Sequence, residues 1–343
     1  MLPDPLSDPF GERAPSLARK PLQLLGGRFR FDSNSPQLLR LVDWAYAGLP
    51  GHWLSSEAPS FHVRLMLMKP GEAPKKRPQR RRLNGSEPPP LEMLHGAGLL
   101  GGATATSDVV VMSAREGAAL VLVSPQMLRH PYHTRYELIE FAVFTLAARA
   151  QRLVPLHAAC VGQGGRGILL MGPSSAGKST VALQCLLGGF EFLSEDSVFV
   201  APDTMLATGV ANFLHVRTDS LGWLGRSRAA AAIAKSPVIR RRSGIEKFEV
   251  DLRRGPYQLA RAPLRIVGVA FLSSRKAGTR PLLRPMSKSL LMDNLLREQA
   301  YGAAQPQWQM FRKNISKLPA FELRRGDHPA EAAEALRSLL AGL

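Results

Sequence analysis

The chain has 343 residues, 45% of them hydrophobic, and a formal charge of +18 at neutral pH. That length and apolar content predict two domains, each with a core of its own. Cys160 and Cys185 are the only cysteines; they lie in apolar segments without C-x-x-C spacing, which argues against a disulfide framework and a zinc site.

The opening Met1-Leu-Pro-Asp-Pro-Leu-Ser-Asp-Pro carries acids and prolines where a secretion signal needs a basic start and an apolar core. No apolar run reaches membrane-spanning length, because Leu138 to Ala148 is short and contains Glu140. A soluble cytoplasmic protein without a membrane partner is therefore expected. Much of the positive charge is local: Lys69, Lys75, Lys76, Arg77, Arg80, Arg81 and Arg82 crowd a stretch that ends in Pro88-Pro89-Pro90. It reads as a basic, loosely tethered loop over 69–90. Clustered Lys and Arg attract phosphate backbones, but no helix-turn-helix or aromatic-interleaved RNA motif accompanies them, so nucleic acid is not the expected partner.

In chain order, residues 1–22 read as a loose tail, followed by a small α+β or mostly β domain over 23–134. Its signals are a short strand at Arg28-Phe-Arg-Phe31 and a helix from Ser35-Pro36 with Leu38, Leu39, Leu41, Val42 and Ala45 on its apolar side. Strands follow at Phe61–Met68, Val109–Met112 and Ala119–Val123. Arg135 to Gln151 predicts a buried linking helix into the second domain, 135–343. There, strand-like runs alternate with Gly turns and helix signals, the pattern of an α/β domain.

The second domain carries the chemistry. His157-Ala-Ala-Cys-Val161 and Gly167-Ile-Leu-Leu-Met171 flank a Gly-rich turn and predict a β-hairpin. The hairpin feeds Gly172-Pro-Ser-Ser-Ala-Gly-Lys-Ser-Thr180, a G-x-x-x-x-G-K-[ST] loop, and the helical run Val181–Leu187 follows. In a phosphate loop of this kind Gly172, Ser174, Ser175, Ala176, Gly177 and Thr180 form the cradle. Lys178 reaches the β/γ-phosphates and the Ser179 hydroxyl binds Mg²⁺. ATP and Mg²⁺ are the expected cofactors.

A strand from Phe190 to Leu193 ends in Ser194-Glu195-Asp196. Phosphoryl transfer needs one carboxylate near Mg²⁺ and a group to take the acceptor proton, so Glu195 and Asp196 are the candidates, with the division between them open. Neighbours on a strand face opposite ways, so both address one phosphate only if the strand has already ended in a turn. Arg240, Arg241 and Arg242 precede Ser243-Gly244 in a basic turn suited to clamping a phosphoryl group, with Lys247 as a weaker contact. Phe321–Arg324 predicts the last strand, and Asp327-His-Pro-Ala-Glu331 the N-cap of a terminal helix.

Taken together, Leu156-His-Ala-Ala-Cys-Val161, the loop to Thr180 and Leu193-Ser-Glu-Asp-Ser-Val198 resemble the catalytic domain of HPr kinase/phosphorylase, a P-loop kinase domain similar in fold to phosphoenolpyruvate carboxykinase. Arg240 to Asp251 resembles a segment of the HPr-kinase-related serine kinases, so the resemblance spans about 152–255. It implies ATP-dependent transfer of phosphate to a serine of a protein or peptide, with His157 near the phosphates and Glu195 and Asp196 as the acidic pair. A homo-oligomer is implied by the same resemblance, since members often form rings. This chain departs from the family at Ser175, Thr180 and Glu195, which stand where a glycine, an acid and an aspartate are usual. Rival readings are a nucleotide-gated binding module and a nucleic-acid-associated NTPase.

Overall fold

The computed structural model describes residues 17–69, 88–96, 98–105 and 107–343. Most of the expected tail and the basic cluster at 75–82 lie outside the described residues. By compactness the chain divides into two units: one gathers its segments from Phe29–Trp44, Phe61–Val143 and the residues up to Leu22, the other from Gln23–Arg28, Ala45–Ser60 and Phe144–Leu343.

The first unit is built on a seven-stranded sheet. Its strands are β1 (Ala18–Leu24), β2 (Gly27–Ser33), β3 (Ser60–Leu67), β4 (Glu92–Gly96), β5 (Leu99–Ala103), β6 (Val109–Ser113) and β7 (Ala118–Val123), in the order β1-β2-β3-β7-β6-β5-β4. Alternation explains the inner strands: Phe29, Phe31, Phe61, Val63 and Leu65 are buried while Arg28, Arg30 and Arg64 between them face outward. The helix Pro36–Tyr46 buries Leu38, Leu41, Val42 and Ala45, as its sequence period predicts. Strand β1 starts inside the segment expected to be a tail. It is an edge strand with Pro21 in it and little burial, so it carries almost no apolar signal. The expected linking helix is helical from Thr134 to Ala150, but its first seven residues, Thr134–Glu140, are wound as a π-helix.

Asp32 is buried in this unit beside one imidazole and two guanidinium groups: His62 Nε2 at 2.9 Å, Arg19 Nε at 3.2 Å and Arg30 Nε at 3.5 Å. Burial pushes its carboxyl up, but the His62 and Arg19 hydrogen bonds and the Arg30 charge outweigh it and hold the pKa below the ordinary 3.8. A depressed carboxylate contributes stability above its unfolded pKa and loses it as pH falls through the folded value. Asp32→Asn is thus expected to lower the urea midpoint near neutral pH by an amount that shrinks towards zero as pH is taken below about 3.8. Urea melts of the two proteins over that range check it.

The second unit holds a nine-stranded sheet. Its central path is β11 (Glu191–Ser194), β9 (Ala159–Gln163), β10 (Arg166–Met171), β17 (Leu264–Lys276), β13 (Leu206–Gly209), β12 (Val198–Val200) and β8 (Val154–Leu156). Strand β19 (Ala320–Arg325) joins at β17, and β18 (Leu283–Pro285) pairs with β19. β10 runs parallel to β17, and β17 parallel to β19, while β9 and β10 form the expected antiparallel hairpin. The unit is mixed α/β with parallel and antiparallel pairing.

Each face of β10 meets a different core. Ile168 and Leu170 pack with Val181, Ala182, Leu336 and Leu340 of the helices Lys178–Leu187 and Pro329–Gly342. Leu169 and Met171 pack with Leu291, Leu295 and Phe311 of Lys288–Glu298 and Trp308–Ile315. With helices over both faces, every residue of β10 after Arg166 is buried, which is why the strand reads as a continuous apolar run.

A separate three-stranded sheet, β14 (Phe213–Val216), β16 (Glu246–Asp251) and β15 (Val238–Arg240), completes the unit. Leu214, Val216 and Val250 join the core that holds the helix Lys178–Leu187. The alternation then gives His215 and Glu249, which are paired across β14 and β16, to the opposite face. The terminal helix is capped by His328 and not by Asp327: its Nδ1 accepts from the Ala330 N–H, and Glu331 accepts from the His328 N–H. Pro329 fixes the first helical position, so the cap falls on the residue before it.

Candidate functional site

The glycine-rich loop leaves the end of β10 and enters the helix Lys178–Leu187. Gly172 takes φ 140°, and an added Cβ would sit 2.9 Å from the Leu272 carbonyl oxygen of neighbouring β17. Backbone freedom and close approach both require glycine there. Gly172→Ala is expected to destabilise the protein by about 1–3 kcal/mol, read from the shift in its urea midpoint. Ser175 sits at φ 66°, in the left-handed region that favours glycine, which is where the resembled family carries one.

Lys178 is buried and its ammonium turns back over the loop, donating to the carbonyl oxygens of Gly172 at 2.7 Å and Pro173 at 3.3 Å. Burial pulls its pKa below the usual lysine value, against the opposing pull of Asp196, Glu298 and Glu195. The cation is therefore poorly solvated and bonded to neutral carbonyls, a state that a phosphate oxygen would improve.

Strand β11 ends at Ser194, and Glu195 and Asp196 stand in the bend beyond it. Released from strand alternation, both line the same cavity as the loop. Glu195 is nearly enclosed. Its Oε1 accepts from Ser179 Oγ at 2.6 Å, and its Oε2 accepts from the His215 backbone N–H at 2.9 Å, with His215 Nδ1 at 3.1 Å. On its far side His215 Nε2 lies 3.4 Å from Glu249 Oε1. Burial opposes the charge on Glu195, but hydrogen bonding and charge from His215 prevail and lower its pKa. The reciprocal holds for His215, whose pKa is lifted by Glu195 and Glu249 against burial.

Asp196 is the open member of the pair, its side chain 27% exposed. His157 Nδ1 lies 3.0 Å from Oδ1, and Arg241 Nη2 lies 3.7 Å from Oδ2. The His157 hydrogen bond and the Arg241 charge together outweigh burial and hold the carboxyl well below the usual range. His157 is half exposed, fixed by its backbone: its N–H donates to Gln299 Oε1 at 2.7 Å and its carbonyl accepts from Gln299 Nε2 at 3.1 Å.

These groups share a cavity of about 480 Å³. His157, Ser174 to Thr180, Glu195, Asp196, Arg241 and Lys247 all line it, and Gly172 forms the base of the loop. Arg240 and Arg242 do not line it. Arg240 ends β15 with its side chain exposed, Arg242 is exposed in the turn, and only Arg241 between them reaches inward. Lys247 is half-buried; burial and the nearby Arg241 and Arg217 lower its pKa, against Glu195 and Asp196.

Sequence reasoning missed His215, which holds Glu195, Glu249 behind it, and Arg217, Ser220 and Trp223 on the wall beyond Thr180. A signal existed for Glu249 alone, because Lys247 and Glu249 fall on one face of a strand whose other face is apolar. Nothing in the sequence ties His215 to Glu195, since one lies on β14 and the other in the bend after β11, and they meet only in the folded chain.

The donor set suits a phosphate-bound divalent cation of the magnesium type. Ser179 offers a hydroxyl and Glu195 a carboxylate, both hard oxygens, and Mg²⁺ in such sites takes one or two carboxylates with phosphate and water. Among the described residues no helix is long and apolar enough to cross a membrane.

No protein-family model and no curated protein matches the chain. Among solved structures, the Hpr(Ser) kinase/phosphatase from Coxiella burnetii is similar at 11% identity and a TM-score of 0.28, covering 55% of this chain and 97% of that one. This is a weak structural likeness.

Proposed function

We propose that this chain binds ATP with Mg²⁺ and transfers the γ-phosphate to a serine hydroxyl of a protein or peptide. The observation that carries the reading is the meeting of loop and acids in one cavity: Ser179 Oγ on Glu195 at 2.6 Å, with Asp196 between His157 and Arg241 beside them. The serine acceptor rests on the motif resemblance.

The chemistry that Mg²⁺ would supply when bound is neutralisation of charge on the phosphates. Ser179 and Glu195 would hold the ion, and His215 would fix the carboxylate that does so. Lys178 neutralises charge on the β/γ-phosphates when it leaves the loop carbonyls. Asp196 takes the acceptor side. It accepts the hydrogen bond of the incoming hydroxyl and orients its oxygen at phosphorus; as the new P–O bond forms and the bond to the β-phosphate oxygen breaks, it receives the proton.

A carboxylate held at low pKa by His157 and Arg241 is a weak base. In a loose phosphoryl-transfer transition state the proton leaves late, so orienting the hydroxyl matters more than basicity. The division left open by the sequence is thereby proposed: Glu195 on the metal side, Asp196 on the acceptor side.

The test is incubation of the purified protein with γ-labelled ATP, Mg²⁺ and cell extract, with label mapped by mass spectrometry. Phosphoserine that depends on Lys178 and Asp196 supports the reading. A wild-type protein that binds no ATP would sink it.

A further inference from the structure

The start of the loop helix sends two hydroxyls in different directions. Successive helical residues are about 100° apart, so Ser179 turns to Glu195 while Thr180 turns to another wall, where its Oγ1 lies 3.0 Å from Ser220 Oγ. Ser220 belongs to the short helix Thr218–Gly222, and Trp223 follows it directly. The Trp223 backbone carbonyl accepts from His328 Nε2 at 2.9 Å, and the two rings meet edge to face at 5.5 Å and 86°. Trp223 is thus fixed to the N-terminus of the terminal helix, yet it is 46% exposed and lines the cavity. Ile245, Leu323, Pro329 and Ala332 line the cavity with it.

The site therefore has two chemistries joined by the loop. Beyond Ser179 stand Glu195, Asp196, His157 and Arg241; beyond Thr180 stand Ser220 and the anchored Trp223 indole, with Arg217 and Asp219 of the same stretch also lining the cavity. A polyphosphate whose terminal group meets Lys178 and Asp196 has its first phosphate towards Thr180, and whatever that phosphate carries continues to Trp223. A nucleobase is flat, apolar on its faces and suited to an indole.

We propose that Trp223 is a specificity-determining residue that receives the base of the nucleotide, so that the site selects a nucleoside triphosphate over a bare polyphosphate. This rests on the nucleotide reading of the loop and adds the wall that recognises the base.

Calorimetric titration of the full chain with ATP and with inorganic tripolyphosphate, each with Mg²⁺, tests it on wild type, Trp223→Ala and Trp223→Phe. The expected result is that wild type prefers ATP, and that Trp223→Ala weakens ATP by about ten- to a hundredfold, the range of stacking contributions of one base. Trp223→Phe should keep most of the preference, and tripolyphosphate should bind all three alike. Equal wild-type affinity for the two ligands overturns the base subsite, as does an ATP preference that survives in Trp223→Ala. Either result leaves the nucleotide reading standing, whereas a wild type that binds neither ligand overturns both.

Should Trp223→Ala also lose tripolyphosphate through misfolding, fluorescence decides, because Trp223 is one of four tryptophans. ATP but not tripolyphosphate should quench wild-type emission, and the quench should vanish in Trp223→Phe. A quench that persists there overturns the proposal.

Discussion

Replacing Lys178 with Ala is expected to weaken ATP binding by about thirtyfold or more while the protein stays folded. The size follows from removing one partner of a charge-assisted contact in a largely enclosed site, typically worth roughly 2–5 kcal/mol. The survival of the fold follows from the same burial that lowers the Lys178 pKa: an ammonium that is poorly solvated and bonded only to the Gly172 and Pro173 carbonyls contributes little to the unliganded state. Lys178→Met, which keeps the length of the side chain, should unfold at a urea concentration equal to or above that of wild type. Calorimetry for ATP and urea melts for the fold separate the two effects. Loss of both together would mean that Lys178 is a structural brace of the loop, and retention of ATP affinity would remove the loop from nucleotide binding.

Local chemistry made the loop legible. The paired glycines, the lysine and the hydroxyl sit within nine residues, and the elements on either side follow from short-range pattern: the hairpin β9–β10 before, the helix to Leu187 after. The strand β17 lies next to β10 at the centre of the sheet and had no such signal. From Leu264 to Leu272 it is apolar on nearly every residue, as β10 is, but no glycine hairpin turn or phosphate loop adjoins it to mark the run as a strand. The edge strand β4 and its neighbour β5 failed for a different reason. β4 is exposed along its whole length and β5 contains Gly101-Gly102, so neither has an apolar face to read.

The candidate site divides in the same way. Glu195 and Asp196 were legible as acids one helix past the loop, but the split of roles between them depends on partners remote in sequence. His215 and Glu249 are 20 and 54 positions beyond Glu195, while His157 and Arg241 approach Asp196 from either side in the chain. Of three consecutive arginines, strand and turn geometry turned only Arg241 inward, a choice that composition cannot make.

Asp196→Asn is the variant that separates binding from chemistry, and it should leave ATP affinity within a few-fold of wild type while lowering phosphate transfer by about 10²–10⁴-fold. Asparagine keeps the size of the side chain and an oxygen to accept a hydrogen bond, so the cavity shape is preserved. What it loses is the charge that draws His157 and Arg241 into place and the capacity to take the acceptor's proton. Removing one negative charge beside a polyphosphate also relieves repulsion, so ATP affinity should hold or rise slightly. Glu195→Gln gives the contrast. It disturbs the carboxylate shared by Ser179 and His215 and should weaken the Mg²⁺ dependence of ATP binding itself. Parallel measurement of ATP affinity at high and low Mg²⁺, and of label transferred to serine, assigns the two acids. If Asp196→Asn lost binding and Glu195→Gln lost only transfer, the roles would be exchanged; if both transferred phosphate normally, neither acid would belong to the reacting centre.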